Sequence, residues 1–88
     1  MFGKEALEKL GYTQYATEPY EKWHKVVGDY ELRIRESTES ELNCYGGHLM
    51  AKVRKLDGST FGTGFETFSS DDPVELDKLM KGDIKHAQ

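Results

Sequence analysis

The sequence has few of the residues that cross-link a chain or anchor it in a membrane. Among 88 residues there is one cysteine, Cys44, so an internal disulfide is excluded. We therefore expect a core held by packing alone and a reducing, cytoplasmic setting. The longest uncharged stretch with apolar content, residues 42–50, is too short and too polar to cross a membrane. Charged side chains close to Met1 argue against a secretory signal.

What remains is the composition of a soluble globular chain. Hydrophobic residues make up 36% and charged residues 32% of the sequence, and the formal net charge is −4. These proportions argue against disorder, and the acidic balance does not favour long-range attraction to nucleic acid. The length predicts one domain, which we place over residues 1–82, with a mobile tail over residues 83–88.

The first half of the chain predicts a helix followed by a hairpin. Apolar spacing over residues 4–10 indicates a short helix that Gly11 ends. An irregular connector follows, and residues 20–36 then form a hairpin around the two-residue turn Gly28-Asp29. That turn pairs Trp23 with Ile34 and sorts the apolar residues onto one face.

The second half predicts two further strands and a closing helix. Residues 37–41 are expected as a polar loop, and a strand over residues 42–55 as bent at its double glycine. A three-residue turn ending at Gly58 would pair Val53 with Phe61 and Leu49 with Phe65.

The pair Asp72-Pro73 predicts the start of the last helix. This helix would bury Leu76, Leu79 and Met80 and end at Gly82. The fold class is therefore α+β, in which four antiparallel strands pack one face against two short helices, in the order α-β-β-β-β-α.

Catalytic, cofactor and metal motifs have little support. Cys44 and His48 are four residues apart on an expected strand, so their side chains would not converge, and His24 and His86 are isolated. The glycine-rich segment 58–64 opens no helix and resembles no phosphate-binding loop. We predict a protein that is not an enzyme and that binds no cofactor or metal.

Two charged surfaces and a group of tyrosines are the candidate binding features. Acidic residues flank one loop and the start of the last helix, namely Glu36, Glu39, Glu41, Asp71 and Asp72. The predicted registers of the two strand pairs place basic residues on the outer sheet face, namely Lys22, Arg33, Arg35, Lys52 and Arg54. The connector carries Tyr12, Tyr15 and Tyr20, which either contact a partner or close the open end of the core.

In size and style the chain resembles small accessory proteins of bacteriophages and mobile elements, anti-CRISPR inhibitors among them. The resemblance is carried by the opening segment 4–12, which ends in Leu-Gly-Tyr, the run 20–23, and a strand block closed by Asp72-Pro73. It implies a non-catalytic binder that inhibits a host nucleic-acid enzyme or defence complex.

The sequence leaves three hypotheses open. The acidic residues could imitate a nucleic-acid backbone and bind a host protein. Alternatively, the basic outer face could bind nucleic acid, although Phe68 is its main candidate for base stacking. A small enzyme or ligand carrier is the third hypothesis. No membrane partner is expected, and a homodimer is compatible with each hypothesis because an open sheet has two edges.

Overall fold

A five-stranded antiparallel sheet forms the centre of the domain. The computed structural model describes residues 3–57 and 66–87. The strands are β1 (Thr13–Ala16), β2 (Lys22–Val27), β3 (Tyr30–Glu36), β4 (Leu49–Lys55) and β5 (Phe68–Ser70). The helices are α1 (Lys4–Lys9), α2 (Glu39–Tyr45) and α3 (Pro73–Ala87). The strands are hydrogen-bonded in the order β1-β2-β3-β4-β5. The α+β class and its antiparallel sheet are confirmed, with five strands instead of four.

The β2–β3 hairpin has the predicted register. Trp23 pairs with Ile34, and Val27 pairs with Tyr30 across the turn, where Gly28 adopts a positive φ of 60°. A two-residue turn with this backbone matches the twist of the flanking strands, so turn and side-chain pattern agree. Trp23 and Ile34 are buried on the core face.

The connector before β2 contains a strand that the sequence did not indicate. β1 pairs antiparallel with β2, and its register shifts between Gln14 and Ala16. Tyr15 therefore lies at the irregularity. Such a bulge redirects the side chain of the extra residue, which here is Tyr15.

The prediction of a polar loop followed by a long strand is wrong for residues 39–48. Thr38 caps α2, because its side chain accepts a hydrogen bond from the Glu41 amide while the Glu41 carboxylate accepts one from the Thr38 amide. Gly46, with a φ of 88°, ends the helix. Gly47 then passes so close to Ser69 and Ser70 that a Cβ at residue 47 would overlap their atoms. The double glycine thus ends a helix and allows this close approach, and β4 starts only at Leu49.

The predicted register of the last two strands is also wrong. Leu49 pairs with Ser70 instead of Phe65, and Ala51 pairs with Phe68. The proposed pair of Val53 with Phe61, and the turn at Gly58, lie outside the described residues. Either register places an aromatic residue on the core face, so alternation alone does not choose between them. Phe68 itself packs against the core, which corrects its assignment to the outer face.

The closing helix starts as predicted and runs further. The Asp72 carboxylate accepts a hydrogen bond from the Val74 amide at 3.0 Å, as a helix cap does. Gly82 does not end α3, and residues 83–87, expected as a tail, continue the helix. Ile84 is buried, whereas Leu79, expected inside, is 39% exposed. Burying an isoleucine contributes roughly 1.5–3 kcal/mol, which outweighs the cost of about 1 kcal/mol for a glycine inside a helix.

The core lies between the sheet and the two terminal helices. The largest fully buried side chains come from both layers, namely Leu7, Leu32, Ile34, Leu49, Leu76, Met80 and Val53. α3 contacts β3, β4, β5 and α1. None of the helices within the described ranges is long and apolar enough to span a membrane.

Candidate functional site

The outer sheet face is a small grid of cross-strand rows rich in cations. Because β2, β3 and β4 pair in register, three rows lie side by side on this face. They are Lys22–Arg35–Met50, His24–Arg33–Lys52 and Val26–Glu31–Arg54. The sequence predicted this set of basic residues, and the observed register confirms that they share one face.

The grid forms the floor of an open groove with a volume of about 550 Å³. All five predicted cations of this face line the groove. Tyr15 of β1 lines it as well, together with Glu41 and Tyr45 of α2. The two tyrosines are 43% and 60% exposed. The groove is the candidate binding surface because it brings five cations and two exposed tyrosines together.

A buried carboxylate fixes part of the floor. Glu31 is 6% exposed, and its Oε1 accepts a hydrogen bond from Nε of Arg54 at 2.5 Å, while Nε of Arg33 forms an ion pair with the same oxygen at 3.0 Å. Nδ1 of His24 lies 2.7 Å from Oε2 of Glu31. Burial by itself raises the pKa of Glu31, but the hydrogen bonds from His24 and Arg54 and the charges of both arginines outweigh it and lower that pKa.

A second carboxylate holds Arg35 at the edge of the groove. Both oxygens of Glu41 accept hydrogen bonds from the Arg35 guanidinium, each at 2.6 Å. This bidentate pair, with the amide of Thr38, lowers the pKa of Glu41 to about 2. The pKa of Arg35 is raised by the same pair. The capping box of α2 therefore also orients Arg35, since one side chain serves both.

The remaining cations are not neutralised by acidic side chains of the fold. Lys22 lies directly opposite Arg35, and Arg33 lies directly opposite Lys52. Like charges in such positions destabilise a sheet. Within the described part of the chain, neither lysine forms an ion pair. Counting Glu31 and Glu41 against the five cations leaves the face a charge of +3 in a chain of net −4.

Above this floor, Tyr15 is held in place by two of its neighbours. Its ring centroid lies 4.6 Å from that of His24. The guanidinium carbon of Arg33 lies 5.8 Å from the Tyr15 centroid, within cation–π range. Tyr15 was predicted as a connector residue and not as part of the basic face. Tyr45 was missed altogether, although the Thr-x-x-Glu pattern at residues 38–41 was a signal for the helix that carries it.

Most of the acidic candidates have intramolecular roles. The Glu36 carboxylate accepts from the Glu21 amide at 2.9 Å, and Asp71 accepts from both the amide and Nδ1 of His48. Asp72 caps α3, and Glu41 binds Arg35. Glu39 is exposed on α2. None of the contacts among the described residues joins these acidic side chains into one surface. The hypothesis that they bind a host protein stays a prediction.

The other two connector tyrosines lie away from the groove. Tyr12 is 4% exposed, and its hydroxyl donates to Asp77 at 2.8 Å. Burial first, and then this hydrogen bond, raises the pKa of the Tyr12 hydroxyl. Tyr20 is 36% exposed and does not line the groove. Tyr12 thus closes the core, which was the alternative role given to these residues.

A further ionic cluster links the helices to the core face of the sheet. Lys25 donates to Oδ1 of Asp77 and to the Leu10 carbonyl, each at 2.9 Å. Lys81 lies 2.9 Å from Oδ2 of Asp77. Asp77 is 4% exposed, and although burial raises its pKa, hydrogen bonds from Lys81, Lys25 and Tyr12 outweigh burial and lower it. The cluster explains why a lysine occupies the core face, and its role is structural.

Within residues 3–57 and 66–87, no three histidine, cysteine or acidic side chains are grouped to hold a metal ion. Cys44 is exposed near the end of α2, whereas His48 precedes β4 and bonds Asp71. In comparisons with known proteins, the chain matched no family model, no curated protein and no solved structure.

Proposed function

We propose that the chain is a non-catalytic binding domain that binds nucleic acid through its basic outer sheet face. The observation that carries the proposal is that Lys22 and Lys52 lie directly opposite arginines in the sheet register, Lys22 opposite Arg35 and Lys52 opposite Arg33. Like charges placed opposite each other oppose folding, and of these four cations only the arginines have a carboxylate partner among the described residues. A polyanion laid along the groove would supply the two lysines with a counter-charge.

The distribution of charge supports a phosphate backbone as the ligand. The groove carries +3 while the remainder of the chain carries −7, which together give the net −4. Glu31 and Glu41 orient the arginines, and neither Lys22 nor Lys52 forms an ion pair with a described residue. Oriented arginines and unpaired lysines are the groups that bind phosphate oxygens. The acidic remainder would turn away from a polyanion and so orient the approach.

Charge reversal in the groove tests the proposal. The double variant Lys22→Glu with Lys52→Glu changes the net charge from −4 to −8. The matched control, Lys9→Glu with Lys78→Glu, makes the same change on exposed positions of α1 and α3. Binding of a labelled oligonucleotide is measured by fluorescence anisotropy at several salt concentrations.

We expect wild type and control to bind at low salt and the groove variant to lose binding. For a single strand, log K should fall with log salt by about 0.7 for each phosphate contact. Equal affinity of the groove variant and its control, or no oligonucleotide binding by wild type at low salt, would refute the proposal.

A further inference from the structure

We infer that the nucleic acid bound in the groove is single-stranded and that unpaired bases stack on Tyr15 and Tyr45. The inference rests on the proposed function and specifies its ligand. Both rings line the groove together with the five cations. Aromatic faces beside a basic track are the combination that binds single strands, because every base offers a face for stacking.

Tyr15 is aimed at the groove by the fold. It lies at the register irregularity of β1, between Gln14 opposite Trp23 and Ala16 opposite Lys22. Its ring rests against His24 and Arg33, yet 43% of the residue stays exposed. A tyrosine used only for packing would gain more by full burial. The bulge thus presents a partly exposed ring directly beside the cations.

Tyr45 has no role in the core. α2 buries none of its residues, and Tyr45, its last residue before Gly46, is 60% exposed. It nevertheless lines the same groove as Tyr15, from the α2 side. Packing therefore gives no reason for an aromatic residue at this position. A base lying on the ring would remove its apolar face from water.

The two exposed tyrosines of the groove favour a single strand over a duplex. The major groove of DNA admits a protruding helix or two-stranded ribbon. Here the cations lie on the floor of a groove bounded by Tyr15 of β1 and by Glu41 and Tyr45 of α2. In a duplex the bases are paired and stacked on each other and offer no free face to a tyrosine, whereas a single strand can turn its bases outward. An acidic peptide would satisfy the cations but would supply no flat rings for the tyrosines.

Three fluorescently labelled ligands of equal length test the inference, namely a single-stranded oligonucleotide, its duplex and a polyglutamate peptide. Each is titrated into wild type, Tyr15→Leu, Tyr45→Leu and the matched variants Tyr15→Phe and Tyr45→Phe. Phenylalanine keeps the ring and leucine keeps only apolar bulk. Because Tyr45 is 60% exposed on a helix that buries nothing, its variants test stacking without disturbing the core.

We expect the single strand to bind most tightly. Each leucine variant should weaken it by about 5- to 150-fold, while each phenylalanine variant stays close to wild type. Tighter binding of duplex or polyglutamate, or equal affinities of the leucine and phenylalanine variants, would overturn the inference. If Lys22→Glu with Lys52→Glu still abolishes that binding, the basic face remains the binding surface and only the ligand class is wrong. If no oligonucleotide binds at all, the proposed function fails with it.

Discussion

Glu31→Gln should lower the free energy of unfolding and, at the same time, raise the affinity of the groove for an oligonucleotide. Glu31 is the buried carboxylate that contacts His24, Arg33 and Arg54 on the outer face through hydrogen bonds and ion pairs. Glutamine keeps the shape of the side chain and removes its charge. The fold then loses the group that offsets repulsion between neighbouring cations, and the groove gains one unit of positive charge.

The cost to stability follows from the exposure of the three partners. Arg33 and Arg54 are each 46% exposed, so solvent screens their pairs and each contributes about 0.5 kcal/mol. The His24 side chain is 35% exposed, and the Glu31 carboxylate to which it is hydrogen-bonded is 7% exposed. We assign this hydrogen bond a contribution of about 1 kcal/mol to stability. The variant should therefore lose about 2 kcal/mol of unfolding free energy. For a domain of this size, that lowers Tm by roughly 8–16 °C.

Urea unfolding followed by the fluorescence of Trp23, the single buried tryptophan, measures this loss. Glu8→Gln on α1 is the control, because Glu8 is exposed and makes no ion pair with any described residue. It should change stability by less than about 0.5 kcal/mol. Oligonucleotide affinity of Glu31→Gln should rise about fivefold at low salt. A stability equal to that of the control would refute the assigned role of Glu31.

The same variant should change the acid sensitivity of the fold. Because the folded-state pKa of Glu31 lies below its ordinary 4.5, the unfolded chain takes up the proton first as the pH falls. The stabilisation by Glu31 is therefore complete above that ordinary value and is lost as the pH falls through the folded-state pKa. The stability difference between wild type and Glu31→Gln should shrink over this range, and a constant difference would contradict the explanation.

Two further predictions concern the helices. Ile84→Ala should lower the free energy of unfolding by about 2–3 kcal/mol, because Ile84 is only 7% exposed. Leu79→Ala should lower it by less than about 1 kcal/mol, because Leu79 is 39% exposed. Urea unfolding measures both losses, and a larger loss for Leu79→Ala would contradict the extension of α3 beyond Gly82. Asp77→Ala should lower the free energy of unfolding by about 3 kcal/mol, because it leaves the mostly buried Lys25 without its counter-ion. Tyr12→Phe should lower it by about 1 kcal/mol, because it removes one hydrogen bond to Asp77. Equal losses in the same assay would show that the charge of Asp77 is not the larger contribution.

Local sequence determined those elements whose turn chemistry and side-chain period agree. The Gly28-Asp29 turn and the alternation of β2 and β3 fix one register, and any slip would turn Trp23 and Ile34 to the solvent. That register placed Lys22, Arg33 and Arg35 on the outer face, and the alternation of apolar residues along β4 added its two cations. Asp72-Pro73 likewise fixed the start of α3 through capping, a local interaction.

Long-range packing decided the rest. Gly82 is a plausible helix end in isolation, and only the burial of Ile84 against the core carries α3 past it. Leu49 could pair with Phe65 by pattern, but the observed register pairs it with Ser70 and brings Gly47 close to Ser69 and Ser70. Neither choice is encoded within one segment.

The candidate site shows the same division. The sequence alone placed five cations on one sheet face, because strand alternation is a local property. Only the tertiary structure brought Tyr15 and Tyr45 to that face, through an irregular edge strand and a helix that buries nothing. It also set Glu31 beneath the arginines, since burial of a carboxylate depends on the side chains that three strands bring together. The charge of this face was thus determined by the sequence, and the groove in which that charge lies was decided by the fold.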